Sequence, residues 1–128
     1  MPKIHQEVTF AATPAKVYNA LMRSAEHARF TGSPAEISPD EGGAFTAHGG
    51  FVEGRNVSLV PDARIVQAWR GKDWPEGVYS IARFELRDEG GKTRLVFDQE
   101  GVPDAQVEHI DSGWRKMYWE PLRNYLES

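Results

Sequence analysis

The chain contains no cysteine among its 128 residues. A disulfide framework, a thiolate metal site and a cysteine nucleophile are therefore excluded, and the absence fits a reducing compartment. No window approaches the roughly 18 consecutive apolar residues that a membrane-spanning helix needs. The first residues, Met1 to Glu7, also lack the apolar run of a signal peptide. We therefore expect a cytoplasmic protein that makes no use of a membrane.

The sequence also lacks an excess of positive charge. Its formal net charge is −4 at pH 7, which argues against a nucleic-acid partner. A chain of this length buries about two-thirds of its unfolded surface, which is enough for one hydrophobic core. We therefore predict one domain over residues 1–128.

Recognisable catalytic or metal-binding spacings are missing as well. The histidines show no ligand spacing, so we interpret them as ordinary surface or core residues: His5, His27, His48 and His109. His109 and Ser112 lie three residues apart, but neighbouring helical residues do not assemble a catalytic triad. The sequence therefore predicts no catalytic residue, no metal site and no cofactor.

The strongest pattern that is present lies near the C terminus. Between Asp104 and Leu126, apolar residues recur at steps of three and four, which is typical of one helix face. They are Val107, Ile110, Trp114, Met117, Tyr118, Leu122, Tyr125 and Leu126. Such a helix needs a wide apolar surface to cover. Pro121 predicts a kink or a loosened turn within it.

The preceding sequence supplies that surface as a series of alternating strands. Residues 3–10 alternate as a half-buried strand, and Thr13-Pro14 is typical of a helix start. After one or two short helices, strand patterns separated by turn residues continue to Glu100. This order predicts an α+β fold: a curved antiparallel sheet of six to seven strands, covered on one face by the C-terminal helix.

Aromatic residues fall between the predicted sheet and helix. For any one of them, simple core packing is the favoured interpretation. The alternative is a cavity in which a few inward polar groups orient a small apolar ligand. The candidate cavity residues are Phe30, Phe45, Gln67, Trp69, Ser80, Phe84, Phe97, Gln99, His109, Trp114 and Tyr118.

Trp74 stands apart because it lies in a Gly/Pro-rich loop. An exposed tryptophan beside Arg70 and Lys72 is typical of a protein-binding hot spot. It could equally tuck back under the loop as local core. Arg70, Lys72 and Trp74 are therefore candidate partner-binding residues.

Several motifs resemble one known family. They are Phe30-Thr31, Pro34-Ala35, Gly42-Gly43-Ala44-Phe45, Leu59-Val60-Pro61, Ile65 to Arg70, Trp74-Pro75-Glu76-Gly77, Gly101-Val102-Pro103 and Gly113-Trp114. The order of elements resembles the helix-grip fold of the START-like superfamily. The motifs resemble the activator of heat-shock protein 90 ATPase family, and in particular the C-terminal domain of the eukaryotic activator.

The resemblance implies a non-enzymatic START-like domain, monomeric or homodimeric. It would bind a small hydrophobic ligand under the C-terminal helix, an Hsp90-type chaperone, or both. The separate N-terminal domain of the full activator has no counterpart in these residues, so we expect no strong ATPase stimulation. Two alternatives remain open: a pure co-chaperone module with a solid core, and a cyclase- or dehydratase-like enzyme that uses His109 in the cavity.

Overall fold

A computed structural model describes residues 3–127. The chain begins with strand β1 (Lys3–Phe10), followed by helices α1 (Pro14–Met22) and α2 (Ser24–Thr31). Six strands follow: β2 (Glu36–Ile37), β3 (Ala44–Ala47), β4 (Val52–Val60), β5 (Arg64–Gly71), β6 (Ser80–Glu89) and β7 (Lys92–Glu100). The chain then continues as one helical stretch, which comprises a 3₁₀ turn (Asp104–Gln106), α3 (Val107–Gly113), a π-helical segment (Trp114–Trp119) and α4 (Glu120–Glu127). We call residues 104–127 the C-terminal helix.

The strands form one antiparallel sheet in the order β1-β7-β6-β5-β4-β3-β2. The predicted α+β architecture is therefore confirmed, with seven strands and two helices after the first strand. Alternation decides which face each residue joins. In β6, for example, Ser80, Ala82, Phe84 and Leu86 are buried, whereas Ile81 is exposed.

The start of α1 follows the sequence signal closely. Thr13 is the N-cap and accepts a hydrogen bond from the Lys16 backbone N–H at 3.4 Å. Pro14 occupies the first helical position, where a missing N–H has no cost. The two short helices pack beside the end of the C-terminal helix through Phe30 and Tyr125, whose ring centroids are 6.3 Å apart. They close that side of the core.

The C-terminal helix is confirmed, but its middle is wider than an α-helix. The backbone N–H of Glu120 bonds to the Arg115 carbonyl, five residues earlier. Pro121 follows at once, and a proline ring clashes with the carbonyl four residues before it, here that of Met117. The wide turn gives that ring room, so the expected irregularity takes the form of a π segment.

The wider turn also changes which residues face the sheet. Trp114 and Trp119, five positions apart, stack with centroids 5.5 Å apart and ring planes at 22°. Trp119 is buried, while Met117, predicted to face the core, is 53% exposed. The assignment of Met117 was wrong because it assumed a regular 3.6-residue period across the π segment.

Candidate functional site

The middle of the C-terminal helix contacts the sheet through a dense aromatic cluster. The Trp114 ring lies 4.3 Å from that of Phe97 and 5.7 Å from that of Phe84, measured between centroids. Trp119 also contacts the Phe97 ring at 5.5 Å. Because all of these side chains are buried, they fix the position of the helix on the sheet.

A chain of hydrogen bonds runs beneath this cluster. The Trp114 Nε1–H donates to Gln99 Oε1 at 2.7 Å, and Gln99 Nε2 donates to Ser80 Oγ at 2.9 Å. The Ser80 hydroxyl in turn donates to the Trp69 carbonyl at 2.8 Å. We call Phe97, Gln99, Trp114 and Trp119 the anchor cluster. Gln99 and Ser80 were expected to orient a ligand, but these polar atoms bond to the protein itself.

Two further glutamines are engaged in the same way. Gln67 Nε2 donates to Asn56 Oδ1 at 3.2 Å. Gln6 Oε1 accepts from Trp119 Nε1–H at 2.5 Å, and Gln6 Nε2 donates to the Asp111 carbonyl at 2.9 Å and also to its carboxylate. Gln6 and Gln99 therefore tie the C-terminal helix to the sheet, whereas Gln67 joins β5 to β4, and each buried amide has the partner that buried polar groups require.

The space that remains under the C-terminal helix is small. Its volume is about 20 Å³, enough for roughly one water molecule. Its walls are Leu21, His27, Ile37, Phe45, Ala47, Ile65, Gln67, Trp69, Phe84, Trp114 and Tyr118. We call it the inner cavity. A drug-sized ligand needs roughly 300 Å³ or more, so the expected large cavity at this place was wrong.

One wall of the inner cavity contains a polar group without a partner. His27 is 4% exposed, and its Nε2 lies 3.1 Å from the Tyr118 hydroxyl. Its buried Nδ1 has no hydrogen-bond partner among the described residues. Burial lowers the pKa of His27 to about 4, with a smaller contribution from nearby His48. The imidazole is therefore neutral at pH 7. We call His27, His48 and Tyr118 the histidine cluster.

A larger apolar groove lies on the outer side of the same wall. Its volume is about 430 Å³, and its walls are Ser33, His48, Phe51, Val52, Trp69, His109, Ile110, Gly113, Trp114, Met117 and Tyr118. We call it the outer groove. Phe51 and Met117 are 43% and 53% exposed, so two large apolar side chains of the groove face solvent.

The turn at the edge of the outer groove has an unusual backbone. His48, Gly49 and Gly50 have φ values of 53°, 67° and 93°. Glycine tolerates such values, but histidine rarely adopts them. The His48 ring contacts Tyr118 with centroids 5.2 Å apart, and burial lowers its pKa. Strained residues of this kind concentrate at binding sites.

The structure separates the predicted cavity residues into four groups. Three of them line both the inner cavity and the outer groove: Trp69, Trp114 and Tyr118. Phe45, Gln67 and Phe84 line only the inner cavity, and His109 lines only the outer groove. The remaining four line neither space: Phe30, Ser80, Phe97 and Gln99.

His109 lies at the rim of the outer groove with its side chain exposed. The enzyme hypothesis required this histidine inside the cavity as an acid–base group. That placement was wrong, so the cyclase or dehydratase hypothesis no longer has an acid–base residue inside the cavity. Across residues 3–127, no group of three or more metal-ligating side chains comes together.

Trp74 is not an exposed hot spot. It is 4% exposed, and its ring contacts Trp69 edge-on with centroids 5.6 Å apart. Arg70 donates from its guanidinium to the Trp74 carbonyl at 2.8 Å and to the Val78 carbonyl at 3.3 Å. Trp74 and Arg70 therefore hold the loop after β5 in shape, and of the candidate partner residues only Lys72 is exposed.

Sequence reasoning missed three residues of this region. His27 was interpreted as an ordinary histidine, and neither His48 nor Phe51 was singled out. His27 lies in the short helix α2, and His48 and Phe51 lie in or next to a Gly-Gly turn, and neither place gives a periodic signal for cavity lining. The one available sign was the pairing of His48 with two glycines, which permits a left-handed turn.

The seven-stranded sheet that closes on its C-terminal helix defines the class: a START-like helix-grip domain. Within the described residues, no helix is both long and apolar enough to cross a membrane. The sequence matches the family described as Activator of Hsp90 ATPase homolog 1-like protein over residues 11–127. The chain belongs to this family.

Similar proteins agree with that assignment. The chain is 33% identical over 121 residues to the human Activator of 90 kDa heat shock protein ATPase homolog 1, covering 94% of this chain and 36% of the human protein. A Dictyostelium discoideum homolog is 31% identical, with 90% and 30% covered. The chain thus spans about a third of the length of the curated relatives it matches.

Solved structures show the same fold. The crystal structure of an HSP90 activator from Plasmodium falciparum superposes with a TM-score of 0.93 at 22% identity, covering 98% of this chain and 96% of that one. The solution structure of the Aha1 dimer from Colwellia psychrerythraea gives a TM-score of 0.82 at 19% identity, covering 99% and 97%. The resemblance identified from the tryptophan-rich motifs is confirmed.

Proposed function

We propose that this chain is a non-enzymatic binding domain that contacts an Hsp90-type chaperone. The observation that carries the proposal is the family match over residues 11–127, together with relatives that are named activators of the chaperone ATPase. The internal packing supports a binding role, since the polar groups of the core are mostly bonded to one another rather than left facing a substrate-sized space.

The loop after β5 offers a contact surface for that partner. Arg70 stabilises the loop through its hydrogen bond to the carbonyl of buried Trp74, while Lys72 and Tyr79 are exposed. The Arg70 guanidinium also lies 5.8 Å from the Tyr79 ring centroid, a cation–π contact that fixes the ring. A surface fixed before binding loses less entropy when the partner arrives.

Calorimetric titration of the whole chain into a full-length Hsp90-type chaperone tests this proposal. Replacing Tyr79 with Ala, or Lys72 with Glu, should weaken binding about fivefold or more, because aromatic anchors and complementary charges dominate such contacts. Lys92→Glu is the matched control, since Lys92 is an exposed lysine at the turn between β6 and β7. No heat of binding, or an equal loss in all three variants, would contradict the proposal.

A second function is favoured by the outer groove: binding of a small apolar molecule. Its volume of about 430 Å³ falls in the range of sites that hold drug-sized ligands, roughly 300–1,000 Å³. A thermal-shift panel of lipids and aromatic compounds should contain at least one stabilising ligand, and Phe51→Lys should abolish its effect. Ile81→Lys, which changes a residue of similar exposure (45% against 43%) on another face, should leave the shift intact.

A further inference from the structure

The inner cavity and the outer groove share one partition. Trp69, Trp114 and Tyr118 are walls of both spaces. Trp114 is fixed by its hydrogen bond to Gln99, and Trp69 packs against Trp74. Tyr118 is held by its contact with His27 at 3.1 Å and by ring contacts. Because the Tyr118 hydroxyl lies next to His27, a rotation of this side chain would open a path from the outer groove to that histidine.

On the inner side of this partition lies an unsatisfied nitrogen. The Nδ1 of His27 is buried without a partner, and a buried polar atom of this kind has a free-energy cost. The inner cavity, about 20 Å³ in volume, is large enough for one oxygen-sized group. A ligand that brings an oxygen there can form a hydrogen bond with this nitrogen, for which no protein group in the described part of the chain competes.

The surrounding residues specify the rest of that ligand. Within residues 3–127, the walls of both spaces contain no Asp, Glu, Lys or Arg, so a charged group placed inside would have no counter-ion. The shared walls are aromatic, which favours a flat ring. Since either tautomer of His27 is accessible, Nδ1 can donate to a hydroxyl or carbonyl oxygen, or accept from a hydroxyl.

We propose that the outer groove and the inner cavity together bind one neutral aromatic molecule bearing a single hydroxyl or carbonyl oxygen. The ring lies in the outer groove against Trp69 and Trp114, and the oxygen passes Tyr118 to bond with His27 Nδ1. This inference rests on the second proposed function, binding of a small apolar molecule, and specifies its ligand class. It is independent of any chaperone contact.

Three probes with one ring system test the assignment: 1-naphthol, naphthalene and 1-naphthoate, titrated calorimetrically into the whole chain. We expect 1-naphthol to bind about tenfold more tightly than naphthalene, because it satisfies the buried nitrogen. The carboxylate of 1-naphthoate should bind no better than naphthalene. If 1-naphthoate binds most tightly, the oxygen lies at the rim near His109 and the proposal is overturned.

Variants separate this inference from the function on which it rests. His27→Phe should remove the preference for 1-naphthol over naphthalene while naphthalene still binds, and His27→Gln, which keeps a hydrogen-bonding amide, should retain part of it. If His27→Phe does not fold, His27→Phe/Tyr118→Phe removes both buried polar groups together and gives the same comparison. Naphthalene binding with no preference in the natural sequence refutes the role of His27 alone. Failure of all three probes refutes small-molecule binding at the groove.

Discussion

The anchor cluster and the histidine cluster both lie under the C-terminal helix, yet they are built differently. In the anchor cluster, Trp114 stacks on Trp119, and its ring nitrogen begins a chain of hydrogen bonds that ends on a strand carbonyl. In the histidine cluster, His27 leaves one buried nitrogen without a partner. The first satisfies its buried polar groups completely, and the second does not.

The surroundings of the two clusters also differ, in the exposure of apolar side chains and in backbone conformation. The aromatic rings of the anchor cluster are buried. Beside the histidine cluster, Phe51 and Met117 are exposed, and His48 has a left-handed backbone. Incomplete satisfaction, exposed apolar side chains and backbone strain coincide at functional sites. The contrast supports our proposal that the side of the helix facing the outer groove serves binding, whereas the Trp114–Trp119 stack serves stability.

The largest expected effect is on the anchor cluster. Trp114→Ala removes the ring at the centre of the helix–sheet contact and should lower the free energy of unfolding by about 3–5 kcal/mol. Urea denaturation measures it. Met117→Ala, in the same π segment but at a residue that is 53% exposed, should cost less than about 1 kcal/mol. Similar losses in both variants would show that Trp114 is not the anchor.

The next effect concerns the histidine cluster and its pH dependence. The pKa of His27 is about 4 in the folded protein, against 6.5 ordinarily. Between these two pKa values, His27 is protonated in the unfolded chain but neutral in the folded protein. The free energy of unfolding therefore decreases as the pH falls from 6.5 towards 4. Each unit of pKa corresponds to about 1.4 kcal/mol, so the loss attributable to His27 is about 3 kcal/mol.

Urea denaturation between pH 7 and pH 4 measures this loss against His27→Phe/Tyr118→Phe. The double variant lacks the titrating group but keeps the other histidines, including His48, whose lowered pKa acts in the same direction, and His5, whose pKa is raised by hydrogen bonds to Asp98 and Glu7. The natural sequence should lose more stability than the variant. If the two pH curves are parallel, folding does not lower the pKa of His27, and protonation of this residue does not destabilise the protein.

The regular parts of the molecule were predictable because periodicity alone specifies them. Alternation in β6 and β7 placed Phe84, Phe97 and Gln99 on the buried face, and steps of three and four located the C-terminal helix. Trp119 was missed because a regular α-helix would turn it about 100° away from Tyr118. Only the π segment brings both residues to the sheet.

The candidate site was less predictable because it depends on volumes and local geometry. The sequence indicated which aromatic residues face inward, but not that their rings leave only about 20 Å³ between them. Trp74 lies in a loop without a period, so its burial against Trp69 could not be distinguished from exposure. The unpaired nitrogen of His27 depends on the positions of single atoms, which no residue pattern encodes.

The smallest effect compares the polar groups of the two clusters directly. Gln99→Leu leaves the buried Trp114 Nε1–H without an acceptor and should cost about 1–3 kcal/mol, because an unsatisfied donor bears its full desolvation penalty. His27→Phe/Tyr118→Phe removes both partners of a contact, together with the unpaired Nδ1. Replacing both partners by apolar rings is nearly neutral, so the free energy of unfolding of the double variant should lie within about 1 kcal/mol of that of the natural sequence.

Urea denaturation at pH 7 measures the free energy of unfolding of both variants. If the double variant loses more than Gln99→Leu, the histidine cluster contributes to stability at least as much as the anchor cluster does, and the distinction between a stabilising cluster and a binding cluster is wrong.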